Sequence, residues 1–331
     1  MSPHPLIRAA GATIGTVFCI MFSTGSMAKD TGLAYISSEK DNAITVVDAK
    51  TLEIKGTIKT CKRPRHLLLT PDRTRLMAAC ADSGQADIID LVTRKSVGSL
   101  PLGDEPEAFE LSPDGKLVYV SSEDEGALTV IDVATKKIVK AIPVGKEPEG
   151  VLVSPDGKRV YVTSEVASMV HVIDTGALKV LKNIKVGQRP RRFALNADGS
   201  ELWVTNELGS SVSIISTKYL AVTDTVEFKV KGMRADDISP VGIVRSRDGK
   251  SMYVGLGRAN HVARIDAATR EIKQLTLVGK RAWGLGLNRD GSRLFVVNGL
   301  SDDMTVIDTA SGKALKTVSV GRVPYGVLID D

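Results

Sequence analysis

Apolar and polar residues alternate along short segments of this chain, and brief polar turns separate the segments. The clearest stretch runs from Pro106 to Glu147. Four segments within it carry alternating or branched apolar residues: 108–112, 117–121, 128–133 and 138–144. Such segments predict β-strands, and the turns between them are too short for the crossover helix that parallel strands require. This stretch is therefore predicted to fold as a four-stranded antiparallel meander.

The same pattern recurs along the chain at a nearly fixed interval. An aliphatic residue followed by Asp closes one strand of each copy, at Asp48, Asp90, Asp132, Asp174, Asp266 and Asp308, with Ser216 as a degenerate copy. The intervals are 42, 42, 42, 42, 50 and 42 residues. A proline keeps the same spacing, at Pro64, Pro106, Pro148, Pro190, Pro240 and Pro324, with Ala282 in the remaining slot. A period of about 40 to 45 residues is typical of one blade of a β-propeller.

The two ends of the chain each supply part of one copy. Asp30 lies one period before Asp72, so the chain enters at the second strand of a copy. Pro324 to Asp330 provide a lone first strand. Joining the two pieces closes a ring and covers the edges that an open array exposes. The sequence therefore predicts an all-β, seven-bladed β-propeller with four antiparallel strands per blade, closed by the C-terminal strand joining the N-terminal blade.

The first residues have the pattern of an export signal. Arg8 supplies positive charge, residues 9–22 form an apolar run, and Ser26-Met27-Ala28 offers a cleavage site between small residues. A membrane anchor is the alternative, but the apolar run is shorter than the roughly 20 residues that span a bilayer. We predict a signal peptide at residues 1–28, a single propeller at residues 29–331 without a stable membrane span, and a periplasmic or secreted location.

Charge and composition exclude some partners. The chain has a formal net charge of +5, and removal of the leader takes one of its 44 basic side chains and none of its 39 acidic ones. The remaining charge is too small to indicate a nucleic-acid partner. Only 4% of the residues are aromatic. The cores between the sheets are therefore predicted to consist mainly of Val, Ile, Leu and Ala.

Two cysteines remain after the leader, Cys61 and Cys80. The repeat phase places Cys61 before an innermost strand and Cys80 at the end of the strand paired with it, so both approach the same rim. An oxidising compartment would preserve a disulfide between them. Two buried free thiols are the alternative.

The segment that carries the proline is predicted to be the innermost strand, so seven such segments surround the mouth of a central channel. The position two residues later is mostly small, as expected where backbones converge: it is His66, Ala108, Gly150, Arg192, Gly242, Gly284 and Gly326. His66 and Arg192 break this rule. Either neighbouring carbonyls and channel water satisfy their polar groups, or they bind an anionic ligand.

Further charged residues lie in the same segments. The guanidinium group is a planar fork of donors that suits carboxylates and phosphates, and the candidates are Arg63, Arg65, Arg189, Arg191 and Arg281. An acidic sector that includes Glu107 and Glu149 lies between basic ones. Such sectors favour oriented docking of a polar partner. Solvated loop charges joined by weak ion pairs are the alternative.

Three other features fall on the mouth side. The 8-residue expansion between Ser216 and Asp266 places Arg234 in a long loop, where recognition residues tend to lie. Trp283 and Tyr325 each follow the proline position, and either stack on a planar ligand or pack against adjacent loops. Glutamates recur in phase after the second strand, and we interpret them as acceptors of local backbone hydrogen bonds: Glu39, Glu123, Glu165 and Glu207.

The sequence lacks the common catalytic patterns. It has no Cys-x-x-Cys-His for covalent haem, no Gly-x-Ser-x-Gly elbow and no His and Cys cluster at zinc spacing. The histidines after the leader, His66, His171 and His261, fall at different phases of the repeat. We therefore predict no catalytic residue, no metal and no resident cofactor.

The wording of the repeat carries a family resemblance. Pro-x-Gly-Val at Pro148, Ser-Pro-Asp-Gly at Ser154, Tyr-Val-Thr-Ser at Tyr161 and Val-Ile-Asp at Val172 resemble the YVTN-type β-propeller repeats. The resemblance covers essentially all of the chain after the leader. Length, leader and wording are further similar to the β-propellers associated with pyrroloquinoline quinone (PQQ) dependent alcohol catabolism. This resemblance implies a propeller fold and supplies no catalytic residue, and PQQ itself enters only as a possible bound ligand.

Three functions stay open at this point. The sequence favours a non-catalytic periplasmic propeller that binds a small anionic molecule, or a periplasmic protein of an alcohol-oxidation or transport system, at its channel mouth. A lactonase-like hydrolase with its active site at that mouth is one alternative, although the export signal counts against it. A structural or surface scaffold is the other. The fold by itself does not decide among them.

Overall fold

The computed structural model describes Met1 and residues 30–331, so the predicted signal peptide, Met1 apart, lies outside the described residues. Residues 30–331 form 28 β-strands in seven four-stranded antiparallel sheets. The innermost strands of all seven sheets line one central cavity. The predicted all-β, seven-bladed propeller is confirmed.

The blades follow one another along the chain. In chain order the strands are β1 (Leu33–Ser38), β2 (Ala43–Asp48), β3 (Ile54–Lys59), β4 (Pro64–Leu69), β5 (Arg75–Cys80), β6 (Gln85–Asp90), β7 (Lys95–Pro101), β8 (Pro106–Leu111), β9 (Leu117–Ser122), β10 (Ala127–Asp132), β11 (Lys137–Pro143), β12 (Pro148–Val153), β13 (Arg159–Ser164), β14 (Met169–Asp174), β15 (Lys179–Lys185), β16 (Pro190–Leu195), β17 (Glu201–Asn206), β18 (Ser211–Ser216), β19 (Ala221–Glu227), β20 (Pro240–Arg245), β21 (Ser251–Leu256), β22 (His261–Asp266), β23 (Ile272–Leu277), β24 (Ala282–Leu287), β25 (Arg293–Asn298), β26 (Asp303–Asp308), β27 (Ala314–Ser319) and β28 (Pro324–Asp330).

Blade 1 consists of β28, β1, β2 and β3, and each later group of four consecutive strands forms one of blades 2 to 7. Two 3-10 helices of three residues, Ala81–Ser83 and Ala235–Asp237, lie in loops. Within the described residues, no helix is long and apolar enough to cross a bilayer.

The predicted strand limits of blade 3 agree with the structure to within about two residues. The largest difference is at the innermost strand, which begins at Pro106 rather than at residue 108. Its pairing with β9 is irregular between Pro106 and Phe109. A bulge interrupts the two-residue alternation of side chains, and this hides the start of the strand from a pattern-based prediction.

Each pair of neighbouring blades shares one apolar core. Between blades 1 and 2, Tyr35 and Ile44 pack with Leu76 and Ile89, and all four are fully buried. Equivalent clusters fill the other six interfaces of the described ring, including that between blades 7 and 1. Aliphatic residues dominate these cores, as the composition predicts, because alternate side chains of each strand interleave between facing sheets.

The two ends of the described chain meet in blade 1. β28 pairs antiparallel with β1, from Leu33 opposite Asp330 to Ser38 opposite Pro324. The buried Asp330 carboxylate accepts hydrogen bonds from the N–H and hydroxyl of Thr31 and forms an ion pair with Arg73 of blade 2. These contacts give β1 the neighbour that a ring needs and an open array would lack.

In four blades a hydroxyl group ties the innermost strand to the next blade. Thr163 Oγ1 of blade 4 accepts from the Gly150 N–H at 2.7 Å and donates to the Arg191 carbonyl of blade 5 at 3.1 Å. Equivalent bridges in blades 1, 3 and 5 are made by Ser37, Ser121 and Thr205. The hydroxyl satisfies a backbone donor that the irregular strand pairing leaves free. This contact explains why a hydroxyl residue, Thr163, stands in the Tyr-Val-Thr-Ser motif.

The glycines near the start of the innermost strands stand where neighbouring blades touch. A Cβ atom at Gly150 would lie 2.1 Å from the Arg191 carbonyl oxygen, and one at Gly242 would lie 2.1 Å from the Trp283 carbonyl oxygen. No side chain fits at such a separation. The predicted crowding at this position is confirmed, and its cause is the backbone of the next blade.

Cys61 and Cys80 are joined by a disulfide in the structure. It links the segment before β4 to the end of β5, at one rim of blade 2. The two residues are 19 positions apart in the sequence. A bridge that closes a loop of this size stabilises a fold by about 3 kcal/mol, chiefly by restricting the unfolded chain.

We expect Thr163→Val to lower the free energy of unfolding by about 2 kcal/mol, because valine keeps the shape of the side chain but leaves the Gly150 N–H and Arg191 carbonyl without this partner. Equilibrium unfolding in urea measures the change. Thr57→Val is the matched control, since Thr57 is exposed on β3, and it should change the free energy by less than about 0.5 kcal/mol. Equal effects in the two variants would show that the hydroxyl bridge adds no stability.

Candidate functional site

The mouth of the channel consists of the residue before each innermost strand, the first residues of that strand, and the loop after the second strand of each blade. Backbone hydrogen bonds join these parts: the Glu165 N–H donates to the Glu147 carbonyl at 3.0 Å, and the Glu207 N–H donates to the Arg189 carbonyl at 2.8 Å. The residue before the innermost strand has a positive φ in all seven blades, from 42° at Glu105 to 63° at Arg281. One repeated turn therefore presents different side chains at one rim.

Arg191 is the centre of a buried ion-pair network in this mouth. Its guanidinium group pairs with Glu165, approaches Glu149 at 3.5 Å and approaches Glu207 at 3.5 Å. Only 7% of Arg191 and 4% of Glu149 are exposed, so these charges are almost fully removed from water. Burial alone would lower the pKa of Arg191, but the Glu149 and Glu165 carboxylates outweigh it and raise that pKa. The guanidinium group is thus held charged by its neighbours.

Arg192 extends the network to the wall of the channel. Its Nη2 forms an ion pair with Glu149 Oε1 at 2.8 Å and donates to the Tyr325 hydroxyl at 2.6 Å, and its Nη1 donates to the Glu149 carbonyl at 3.2 Å. Burial opposes ionisation of Glu149, but the charges of Arg191, Arg192 and Arg65 outweigh it and lower the pKa of this carboxyl to about 2. Arg192 therefore already has a carboxylate partner inside the protein.

Arg65 makes the corresponding contacts on the other side of Tyr325. Its guanidinium group binds Glu39 at 2.8 Å and pairs with Glu107, which is 2% exposed. The Tyr325 hydroxyl lies 3.3 Å from Glu107 and 3.2 Å from Glu149. Tyr325 therefore links the basic and acidic residues that the sequence assigns to separate sectors.

The outer part of the network is more exposed. Arg189 pairs with Glu165 at 2.7 Å and with Glu207 at 3.1 Å, and Arg63 pairs with Glu105 at 3.0 Å. The arginines predicted as ligand-binding residues are thus mostly bound by glutamates of the same protein. Both signs of charge lie within one rim, so these arginines attract carboxylates of the protein itself.

The interpretation of the recurring loop glutamates as backbone acceptors is wrong for three of them. Glu39, Glu165 and Glu207 bind arginine side chains instead. The ring brings the loops of Glu39 and Glu165 beside the charged segment of the next blade, which spacing along the chain does not reveal, whereas Glu207 meets the charged segment of its own blade. The fourth loop glutamate is Glu123, and its pKa is raised by burial and by the charge of Glu149.

Trp283 and Tyr325 pack in the mouth beside arginine side chains. Their ring centres are 6.0 Å apart, and 6% of Trp283 and 8% of Tyr325 are exposed. The Arg281 guanidinium carbon lies 4.0 Å from the centre of the Trp283 ring, and that of Arg65 lies 5.1 Å from the Tyr325 ring. These are cation–π contacts. Both aromatic side chains therefore hold arginines in place.

A cavity of about 190 Å³ lies in the channel below these residues, and His66 and Arg192 line it. His66 packs edge-on against Phe109, with ring centres 5.4 Å apart, and its Nδ1 has no hydrogen-bond partner among the described residues. Burial, together with the charge of Arg192, lowers the pKa of His66 to about 3. The imidazole is therefore neutral at physiological pH.

Glu110 lines the same cavity and was not predicted from the sequence. Its carboxylate accepts a hydrogen bond from the Val153 N–H at 2.6 Å. Burial raises the pKa of Glu110 to about 7, and that single backbone donor offsets burial only in part. A feature of the sequence could have identified Glu110. In the other six blades the residue four positions after the proline slot is apolar or Gly: Leu68, Leu152, Ala194, Val244, Gly286 and Leu328.

Arg281 lies in a separate pocket of about 420 Å³ between blades 6 and 7, beside Arg258, Lys280 and Glu207. Among the residues that the structure describes, no carboxylate lies within 4.0 Å of its guanidinium group. Burial lowers the pKa of Arg281 despite the more distant charges of Glu39 and Glu207. The pKa of Arg191 is raised instead, because the carboxylates near that residue are close.

Arg258 and Lys280 were not among the site residues predicted from the sequence. A feature of the sequence could have indicated this pocket. Gly257 and Gly299 stand at the position of the repeat that Glu165 and Glu207 occupy in blades 4 and 5, so two of the recurring loop glutamates are replaced by glycine. Arg234 was predicted at the mouth but does not join either group. Its side chain is 85% exposed and pairs with Asp237 of its own loop.

The described residues contain no cluster of three or more His, Cys, Asp or Glu side chains placed to hold a metal ion. The chemistry that the site offers is therefore fixed charge at the rim, a neutral imidazole and a proton-holding carboxyl in the channel, and a cationic pocket at one side.

Replacement of Glu110 by glutamine tests its titration. Its folded pKa of about 7 lies above the unfolded value of 4.5, so the wild type loses stability as pH rises from about 4.5 to 7. Glu110→Gln lacks this loss and should be more stable than the wild type by up to about 3 kcal/mol at pH 8, with little difference at pH 4. Urea unfolding across this pH range measures it. Exposed Glu227→Gln is the control, and a pH-independent difference for Glu110→Gln would contradict the assignment.

Comparisons with known proteins bear on the fold and on function. The family model of YNCE-like β-propellers matches residues 80–153, and the model of lactonases with a seven-bladed β-propeller matches residues 179–330. No curated protein matches the sequence significantly. Each family match covers less than half of the chain.

Solved structures share the fold. The periplasmic gluconolactonase PpgL of Pseudomonas aeruginosa aligns with a TM-score of 0.76 at 19% identity, over 90% of this chain and 99% of its own. Hydrazine synthase of Kuenenia stuttgartiensis aligns with a TM-score of 0.75 at 24% identity, over 85% and 93%. The dihydro-heme d1 dehydrogenase NirN aligns with a TM-score of 0.68 at 17% identity, over 91% and 76%. At these identities the likeness concerns architecture, and together with the two family matches it places this chain among the seven-bladed β-propeller proteins.

Proposed function

We propose that this protein is an exported, non-catalytic β-propeller that binds a small anionic molecule, or docks a polar periplasmic protein, at its channel mouth. The process it serves is PQQ-dependent alcohol catabolism or the associated transport. The export signal at residues 1–28 and the similarity of the repeat wording to propellers of that process support the location and the process. The structural likeness to a periplasmic gluconolactonase is consistent with the same compartment.

The observation that carries the proposal is the buried charge at the mouth, which the fold does not require. The first residue after the proline position is Arg65, Glu107, Glu149 or Arg191 in blades 2 to 5. Blade 6 has Val241 at the same position, 1% exposed, and forms an equally regular sheet. Buried ion pairs are commonly no more stabilising than apolar residues of similar volume, because desolvation offsets their attraction. Their presence at one rim therefore favours a role in recognition.

A fixed arrangement of charges suits a polar ligand. Because the central ions of the network, Arg191 and Glu149, are each held by several partners, the rim presents its potential without reorganising when a ligand arrives. Such a field steers and orients a charged molecule on approach. It gives no activated nucleophile, which favours binding over catalysis.

Titration of the full chain tests the proposal. We expect phosphate, malonate or PQQ to bind with an affinity that falls several-fold between low and physiological salt, because screening weakens attraction at the rim. Isothermal titration calorimetry and the shift of the melting temperature measure binding. Absence of heat and of any stability shift with every anion would remove the small-anion form of the proposal.

Lactone hydrolysis is a second candidate, and two observations favour it. The lactonase family model matches residues 179–330. The channel cavity also holds Glu110, whose pKa of about 7 suits a general base near neutral pH. In this candidate the Glu110 carboxylate takes a proton from water as the oxygen attacks the lactone carbonyl, and the Arg192 guanidinium on the same cavity wall stabilises the negative oxygen of the tetrahedral intermediate. Collapse of the intermediate breaks the ring C–O bond, and the protonated Glu110 carboxyl returns its proton to the departing alkoxide.

An assay of δ-lactone hydrolysis decides this candidate. If it is right, kcat/KM rises with pH through about 7, and Glu110→Gln lowers kcat/KM by about 100-fold or more, as loss of a general base does. A rate indistinguishable from the buffer reaction at high protein concentration would exclude it. Arg322→Gln, at the outer rim where Arg322 pairs with Asp41, is the control and should leave any hydrolysis unchanged.

A further inference from the structure

The pocket between blades 6 and 7 carries an excess of positive charge. Arg258, Lys280 and Arg281 line it, and Glu207 is the one carboxylate among its lining residues in the described chain. Glu207 is also engaged by Arg189, at 3.1 Å. The pocket volume is about 420 Å³, which exceeds that of the channel cavity. A site of this size and charge suits a small ligand with more than one negative charge.

Comparison with Arg189 explains why the Arg281 guanidinium group has no close carboxylate partner among the described residues. The two residues hold the same position, one residue before an innermost strand, in blades 5 and 7. Arg189 is bound by Glu165 of the preceding blade and Glu207 of its own blade. For Arg281 the equivalent loop residues are Gly257 and Gly299. The repeat therefore omits both glutamates beside Arg281, the half-buried rim arginine that lines this pocket.

Two residues that line the same pocket carry buried donors without a hydrogen-bond partner among the described residues, and one of them, Trp283, also lines the channel cavity. The Ser239 hydroxyl and the Trp283 indole N–H are buried, and neither has a hydrogen-bond partner among the described residues. Both residues line the pocket and are more than nine-tenths buried. A buried donor left unsatisfied costs about 1 to 3 kcal/mol, so such groups ordinarily meet an acceptor.

We propose that this pocket binds a small oxyanion with two negative charges, a dicarboxylate or a phosphate monoester. The inference rests on the proposed function, for which it names the site and the ligand class. Arg281 is the principal ligand, held by its stacking on Trp283. Arg258 and Lys280, both exposed, add attraction at the entrance. An anion at Arg192 would have to displace Glu149, whereas no carboxylate of residues 30–331 lies within 4.0 Å of the Arg281 guanidinium group.

The missing glutamates supply a direct test. A Cβ atom at Gly299 would lie 3.6 Å from Arg281 Cδ and 3.4 Å from the Pro324 carbonyl oxygen, so a side chain fits there in contact with Arg281. Gly299→Glu would give Arg281 the carboxylate that Arg189 has in blade 5. Gly299→Gln is the matched control, since it fills the same space without charge. Arg281→Gln removes the proposed ligand itself.

The experiment titrates the full-length protein and these variants with malonate and with phosphate, and with acetate for comparison. Calorimetry and tryptophan fluorescence measure the binding. The wild type should bind the dianions at least tenfold more tightly than acetate. Arg281→Gln and Gly299→Glu should each weaken dianion binding at least tenfold, and Gly299→Gln less than threefold, since the first two alter a charged contact worth about 1.4 kcal/mol or more. A preference for malonate over phosphate, or the reverse, distinguishes the two ligand types.

Dianion binding that persists unchanged in Arg281→Gln overturns the inference while leaving the proposed function intact, because the anion then binds elsewhere on the mouth. Equal losses in Gly299→Glu and Gly299→Gln likewise overturn it, since bulk rather than charge would be the cause. No anion binding by the wild type would contradict both the inference and the small-anion form of the proposed function. If Gly299→Glu does not fold, the comparison of Arg281→Gln with the exposed-rim variant Arg322→Gln gives the same decision.

Discussion

Close contact between neighbouring inner strands is the constraint from which the rest of this structure follows. At the start of each strand the backbone of one blade lies against the backbone of the next, and a Cβ atom at Gly150 would come within 2.1 Å of the Arg191 carbonyl oxygen. Hydroxyl bridges such as that of Thr163 hold this contact in four blades. Because the strands approach so closely, the side chains beside the contact are gathered into one small rim.

Gathering charged side chains into that rim removes them from water, and the network of the mouth compensates for the lost hydration. Arg191 and Glu149 are almost fully buried, and each has more than one partner of opposite charge. A charge in such a place is tolerated only when it is paired and hydrogen-bonded. The network is therefore nearly saturated, so its arginines act on an approaching molecule through their field, with their guanidinium groups already held by carboxylates of the protein.

Glu110 and Arg281 lie outside this network of ion pairs, and the two differ in chemical character. Within the described part of the chain Glu110 forms no ion pair, and burial raises its pKa to about 7, so it exchanges a proton near neutral pH. Arg281, which has no carboxylate within 4.0 Å among the described residues, stacks on Trp283 at the edge of a larger pocket. Proton exchange in a cavity suits hydrolysis, whereas fixed positive charge in an open pocket suits anion binding. The two candidate functions thus rest on different residues and respond to different substitutions.

The sequence alone determined the architecture, because a 42-residue period of alternating strands and turn residues permits little besides a ring of four-stranded blades. It also indicated the joining of the two chain ends and the crowding at Gly150 and Gly242. It did not determine which charges pair. Glu165 reaches Arg191 across a boundary between blades, and Arg281 stays uncompensated because two loops near it in space carry glycine. Such pairings depend on distances between blades and on burial, which tertiary structure decides and a linear pattern does not contain.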